Sequence, residues 1–175
     1  MYQLTDFDSP DAQGSGERYM DRNHVAMLNR AGKAAGFYPK INSGYRTPAH
    51  NAKVGGAESS CHMEGKASDL SVRTRSDFDR IAPALVAVGF RRFGVASTFL
   101  HVDNCSRSEA VWTYGGGAEI DYRNKRIREL LGQQWYLADM LGEEERGDRP
   151  WLRVILLVLF AAMLYYYFFV LKGRF

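Results

Sequence analysis

The stretch that decides how this chain is read is "SSCHMEGKASDLSV", Ser59 to Val72, in which a histidine stands seven positions ahead of an aspartate. His62 and Asp69 offer one nitrogen and one oxygen donor, both suited to zinc. Gly65 lets the backbone turn between them, and Ala67 keeps bulk away. His101, in "TFLHVDN" (98–104), is the obvious third donor. Three protein ligands to one zinc ion leave a coordination position for water, the open arrangement of a catalytic rather than a structural site. Spacing alone also permits a plainer reading, a hydrogen-bonded His–Asp contact with no metal.

Asp103 follows His101 by two places. On a strand, residues two apart face the same side, so His101 and Asp103 point together while Leu100 and Val102 face the core. A carboxylate so placed can take a proton from water and pass it to a leaving amine, which makes Asp103 the candidate catalytic base. The alternative is that it orients His101 from behind. Glu64, inside the ligand loop, is the reserve. His50 in "PAHN" reads as a supporting or turn residue, and His24 as structural or exposed. Cys61 and Cys105 would be neighbours if both histidines hold one metal; a disulfide and a free thiol pair both stay open.

Outward from these motifs the chain alternates irregularly between helix and strand patterns. "MDRNHVAMLNRAGKAAGF" (20–37) predicts a helix with Val25, Leu28 and Ala35 on one side and Gly36 near its end. "SDFDRIAPALVAVGF" (76–90) predicts a second, with Ser76 as N-cap and Asp79 at the third position. "YPKINSGYRT" (38–47) reads as a strand running into a turn, and "RRFGVAS" and "TFLHVDN" as two short strands. Separate helices and strands of this kind indicate an α+β fold rather than repeated βαβ units.

The whole chain has 175 residues, 46% hydrophobic and 25% charged, which suits one domain with a real core. A net charge of +3 with scattered basic residues gives no reason to expect nucleic acid. Two cysteines do not make a disulfide framework, and the acidic start "MYQLTDFDSPDAQ" does not read as a secretory signal. The far end differs. "WLRVILLVLFAAMLYYYFFVLK" (151–172) holds eighteen consecutive apolar residues from Val154 to Leu171. As a helix these would extend about 27 Å, near the thickness of a hydrocarbon core. Arg149, Arg153, Lys172 and Arg174 would flank it. The expected organisation is therefore a domain over 1–122, an amphipathic helix and linker over 123–149, a transmembrane helix over 150–172 and a short tail over 173–175. In that reading the lipid bilayer is a partner and the protein sits in a membrane by a single pass.

"SCHMEGKASD" fits the pattern SxHxxGxAxD and resembles the zinc D-Ala-D-Ala carboxypeptidase and peptidoglycan endopeptidase family (peptidase M15-like), whose fold is shared by the hedgehog signalling domain. "FDSPDAQGSG" (7–16), "INSGYRTPAHNAKVGG" (41–56) and "FLHVD" (99–103) agree with it in order, so the resemblance covers about residues 5–115. It implies zinc held by His62, Asp69 and His101, and substrate contacts near Ser43, Tyr45 and Arg46. A guanidinium at Arg46 would match the carboxylate of a D-Ala-D-Ala terminus with two parallel hydrogen bonds. The chain departs from many relatives at Thr98, where they carry a glutamate base.

The function so implied is hydrolysis of D-Ala-containing amide bonds in peptidoglycan peptides. A catalytic domain ahead of the only expected span, with no leader, fits a phage or virion-membrane enzyme or a cellular one facing the wall. The rival from another class is an inactive peptidoglycan-binding or structural protein on the same fold.

Overall fold

The computed structural model describes residues 1–133. A 3-10 turn at Leu4–Phe7 opens the chain, and α1 (Ser15–Tyr19) and α2 (Arg22–Ala35) follow. Then come β1 (Ile41–Ser43), α3 (Pro48–Lys53), β2 (Ala67–Ser71), α4 (Arg75–Ala87), β3 (Arg92–Val95), β4 (Phe99–Asp103), β5 (Ala110–Thr113) and α5 (Ala118–Gly132). The strands form one sheet in the order β1-β2-β4-β3-β5. All pairs are antiparallel except β3 with β5, which run parallel. This is an α+β fold, as expected.

Local chemistry sets the helix ends. Asp21 accepts from the His24 backbone N–H to open α2, and Gly36, in the left-handed region at φ 58°, closes it. The start of α4 differs from expectation. Its cap is Thr74, which accepts from Asp77 N–H while the Asp77 carboxylate accepts from Thr74 N–H. That reciprocal pair satisfies two orphan donors at once, so it wins over Ser76 with Asp79.

Period-two alternation divides the sheet into two faces. Leu70, Leu100 and Val102 are fully buried against the helices, with Leu28 of α2 and Phe78, Ile81 and Leu85 of α4. Asp69, His101 and Asp103 fall on the opposite face, because β2 and β4 pair with Asp69 opposite His101 and Ala67 opposite Asp103. Strand β2, which carries Asp69, and β5 add to the expected strands.

Helix α5 runs unbroken through positions 122 and 123, where the first domain was expected to end. Its Ile127 and Leu130 are buried in the same core. Arg123, also fully buried, donates to the carbonyls of Val72 and Ala96 and pairs with Glu119. The helix is thereby fastened to the strand ends. The remainder of the expected amphipathic segment lies outside the described residues.

The expected membrane span requires correction. Among the described residues no helix is long and apolar enough to cross a membrane. The longest, α5, has fifteen residues and carries Glu119, Asp121, Arg123, Lys125, Arg126, Arg128 and Glu129, a polarity that hydrocarbon would not accept. Among the described residues the fold is therefore an α+β domain with no membrane-spanning helix, and the single-pass membrane localisation built on that helix is corrected with it. The segment 150–172 lies outside the described residues.

Candidate metal centre

Three donor atoms meet on the open face of the sheet. His101 Nδ1 lies 2.8 Å from Asp69 Oδ1 and 3.2 Å from His62 Nε2. His62 Nε2 is 3.4 Å from Asp69 Oδ1. Asp69 and His101 are cross-strand neighbours, so the β2–β4 ladder alone brings them together. His62 arrives from the tight turn ahead of β2. Gly65 makes that turn feasible: its φ is +67°, and a Cβ there would stand 1.9 Å from the Tyr19 carbonyl oxygen.

The remaining ring nitrogens fix which face each imidazole presents. His62 Nδ1 lies 2.7 Å from the Gly44 carbonyl, which can only accept, so Nδ1 carries the proton and Nε2 presents its lone pair to the cluster. His101 faces a carboxylate at each nitrogen, Asp103 Oδ2 at 3.3 Å from Nε2 and Asp69 Oδ1 at 2.8 Å from Nδ1; a metal ion taking the place of a proton at Nδ1 would leave Asp103 to hold the proton at Nε2. Two neutral imidazole nitrogens and one carboxylate oxygen, all mutually within reach, fit a single zinc ion.

The electrostatics differ from one donor to the next. Burial pushes the His62 imidazole down, only partly opposed by the hydrogen bond and charge of Asp69. Burial would raise Asp69, but hydrogen bonds from His101 and His62 outweigh it and hold the carboxyl far below its ordinary range. His101 is raised: burial opposes, and hydrogen bonds to Asp103 and Asp69 prevail. For Asp103 burial again acts upward and loses to the His101 hydrogen bond and the charges of His101 and Arg92, leaving it lowered.

The expected site residues fall in different places. Arg46 donates from Nε to Ser43 Oγ at 2.7 Å and from Nη2 to Asp69 Oδ2 at 2.5 Å, so it braces a candidate ligand as well as facing the cavity. Tyr45 is turned away: its ring stacks on Tyr19 at 4.7 Å and lines neither cavity beside the cluster. Asp103 stands on the far edge of the His101 ring from the three donors. Its carboxylate also accepts from Arg92 Nε at 2.8 Å and from the Cys105 N–H at 3.2 Å. Glu64 pairs with Lys66 and Arg107 at the surface. His24 is buried behind the sheet between Ser68 Oγ and Asn104 Oδ1. Cys61 and Cys105 are joined in a disulfide.

The cluster opens into a cavity of 540 Å³ lined by Arg46, Arg92, Arg107, Phe99, Trp112 and Tyr114 among others. A second cavity of 360 Å³, reaching Ser43 and His50, shares Arg46, Val54, Asp69 and Phe99 with it. Arg92, Trp112 and Tyr114 escaped the sequence reading. Arg92 was within reach of it, since pairing the two predicted strands as a hairpin sets Arg92 opposite Asp103. Strand β5, which carries Trp112 and is followed directly by Tyr114, lacks any local signal of comparable strength.

No curated protein matches the chain. The family model of peptidase M15 matches residues 15–103, just over half of the 175 residues and a span that contains His62, Asp69, His101 and Asp103. On that match, and with the donor cluster inside it, the chain belongs to the peptidase M15 family.

Proposed function

We propose that this chain is a zinc peptidase that hydrolyses D-Ala-containing amide bonds in peptidoglycan peptides. The observation that carries the reading is the triangle of His62 Nε2, Asp69 Oδ1 and His101 Nδ1 at the floor of an open cavity. Family membership supports a peptidase, and the donor chemistry supports the metal.

Zinc, when bound, supplies Lewis acidity toward the scissile carbonyl and acidifies water. The chain's own residues do the rest. Gly44 and Asp103 hold the two imidazoles with the correct nitrogen inward, a supporting role that raises ligand basicity and fixes ring orientation. Asp103, placed by the sequence as the proton shuttle, is engaged by three donors, and this favours the orienting role. Arg46, braced by Ser43, holds Asp69 and offers positive charge at the cavity wall for a substrate carboxylate or carbonyl. Phe99, Trp112 and Tyr114 provide an apolar wall that limits water around the scissile bond.

The test is digestion of purified peptidoglycan by the zinc-loaded full chain, with mass analysis of the products. Release of fragments ending at a D-Ala bond, absent with His62→Ala, is the expected result. Binding to the wall without cleavage would favour the non-catalytic alternative. Cleavage that persists in His62→Ala would remove the metal from the reading.

A further inference from the structure

The two histidines of the cluster are linked by a second route besides the β2–β4 ladder, through a disulfide and the Asp103 side chain. Cys61 is the residue before His62, and its sulfur is bonded to that of Cys105. The Cys105 backbone N–H donates to Asp103 Oδ1, and Asp103 Oδ2 faces His101 Nε2. One end of the disulfide therefore adjoins a candidate ligand, and the other reaches the second histidine through Asp103. We propose that the Cys61–Cys105 disulfide is a positioning device for the metal site, so that its reduction lowers metal affinity without unfolding the domain. This rests on the zinc reading above.

The physical argument compares how each ligand is held. Asp69 and His101 sit opposite each other inside the β2–β4 ladder, whose hydrogen bonds fix their spacing whatever the state of the cysteines. His62 lies outside that ladder, in a turn. The turn is held to the Gly44–Arg46 loop by Arg46 N–H to the His62 carbonyl, and to the chain after β4 by Asn104 N–H to the Lys66 carbonyl. Arg107 adds a hydrogen bond to the Ser59 carbonyl, from an exposed side chain. The disulfide is the covalent tie among these. It is buried, at 5% and 6% exposure for its two residues, so it works from beneath the site and not as a surface clip.

Reduction turns one S–S bond into two thiols: two external thiols supply both electrons and both protons and become a disulfide, or a phosphine supplies the two electrons while water supplies the two protons and leaves its oxygen on the phosphine oxide. The turn is then free to move relative to Asp103 and His101. Loss of outer partners of metal ligands typically lowers affinity by about 10–100-fold. The same arrangement would make metal loading more favourable in an oxidising compartment than in a reducing one.

The experiment measures Co(II) and Zn(II) affinity of the full chain by competition with a chromophoric chelator. Four samples are compared: oxidised protein, protein treated with a phosphine reductant, the double variant Cys61→Ala/Cys105→Ala, and Leu130→Ala. The last weakens the core far from the site and controls for general stability. The expected result is one tight site in the oxidised protein and in Leu130→Ala, and affinity lower by about 10–100-fold in the reduced protein and the double variant. The circular dichroism of the reduced protein should stay folded. Affinities within twofold across all four samples would overturn the proposal while leaving the zinc site standing. So would retained affinity with a new thiolate-to-cobalt absorption, since the freed sulfurs would then be ligands. Absence of any metal binding by the oxidised protein would instead overturn the zinc reading and the proposal together.

Discussion

Asp103 shows how much rests on the edge of one imidazole ring. Asp103 lines the cavity and meets His101 at Nε2, a position from which a carboxylate could shuttle protons or set the ring's tautomer. The two roles separate by substitution. In Asp103→Asn the side-chain carbonyl can still accept from Nε2–H, so the orienting role expects metal affinity within a few-fold of the native value. Asp103→Ala should lose about 10–100-fold in affinity. A shuttle would behave otherwise, with both variants keeping the metal and losing roughly 10²–10⁴-fold in kcat. Equilibrium metal titration alongside steady-state kinetics decides between them. For the ligand triangle itself, the full chain should carry about one equivalent of zinc, and His62→Ala should lose it, since two donors rarely retain zinc against water. Metal analysis of the dialysed proteins checks this.

At the scale of elements, His24 links helix α2 to the sheet beneath the site. Its nitrogens meet Ser68 Oγ at 2.8 Å and Asn104 Oδ1 at 2.9 Å, and burial pulls its pKa down to about 4. The folded state therefore keeps it neutral, whereas the unfolded chain takes up a proton near the ordinary value of about 6.5. Between these values the unfolded state binds more protons, so stability falls as pH drops from about 6.5 toward 4 and is complete above that window. The loss amounts to roughly 3 kcal/mol at most, at about 1.4 kcal/mol per pH unit. Urea unfolding at pH 7 and pH 4.5 should show this slope in the native chain and a flatter one in His24→Gln. The turn ahead of β2 makes a second test. Gly65→Ala forces a side chain into a left-handed backbone and against the Tyr19 carbonyl, and should cost about 1–3 kcal/mol or more. A midpoint in urea unchanged from native would show that the turn can relax.

For the whole molecule, closure of the core depends on α5. Ile127 and Leu130 are buried to 0% and 1% exposure, and Arg123 is sealed among the strand-end carbonyls. Truncating one large buried aliphatic side chain typically costs about 2–5 kcal/mol, and a domain of this size holds only about 5–15 kcal/mol in total. A chain ended at Tyr122, the boundary drawn from sequence, should therefore lose its cooperative thermal transition. Unfolding of that fragment with a midpoint close to that of the full chain would show that the core closes without α5.

The amino-acid sequence by itself determined the donor types, helices α2 and α4 and the pairing of His101 with Asp103 on one strand face. Those features follow from side-chain chemistry, helical spacing and period-two alternation, all of which act over a few residues. Only the tertiary structure decided which nitrogen of His101 turns inward, because that depends on a carboxylate beyond the ring and an aspartate on another strand. It likewise selected the disulfide from the open alternatives, turned Tyr45 onto Tyr19, and brought Trp112 beside the site. Helix α5 belongs to the same class: its charged sequence has modest amphipathic character, and its burial is set by the cavity that β3, β5 and α4 leave for Ile127 and Leu130. Where a side chain's partner is a backbone carbonyl such as Gly44, distant along the chain and without a signature of its own, no local pattern can announce it.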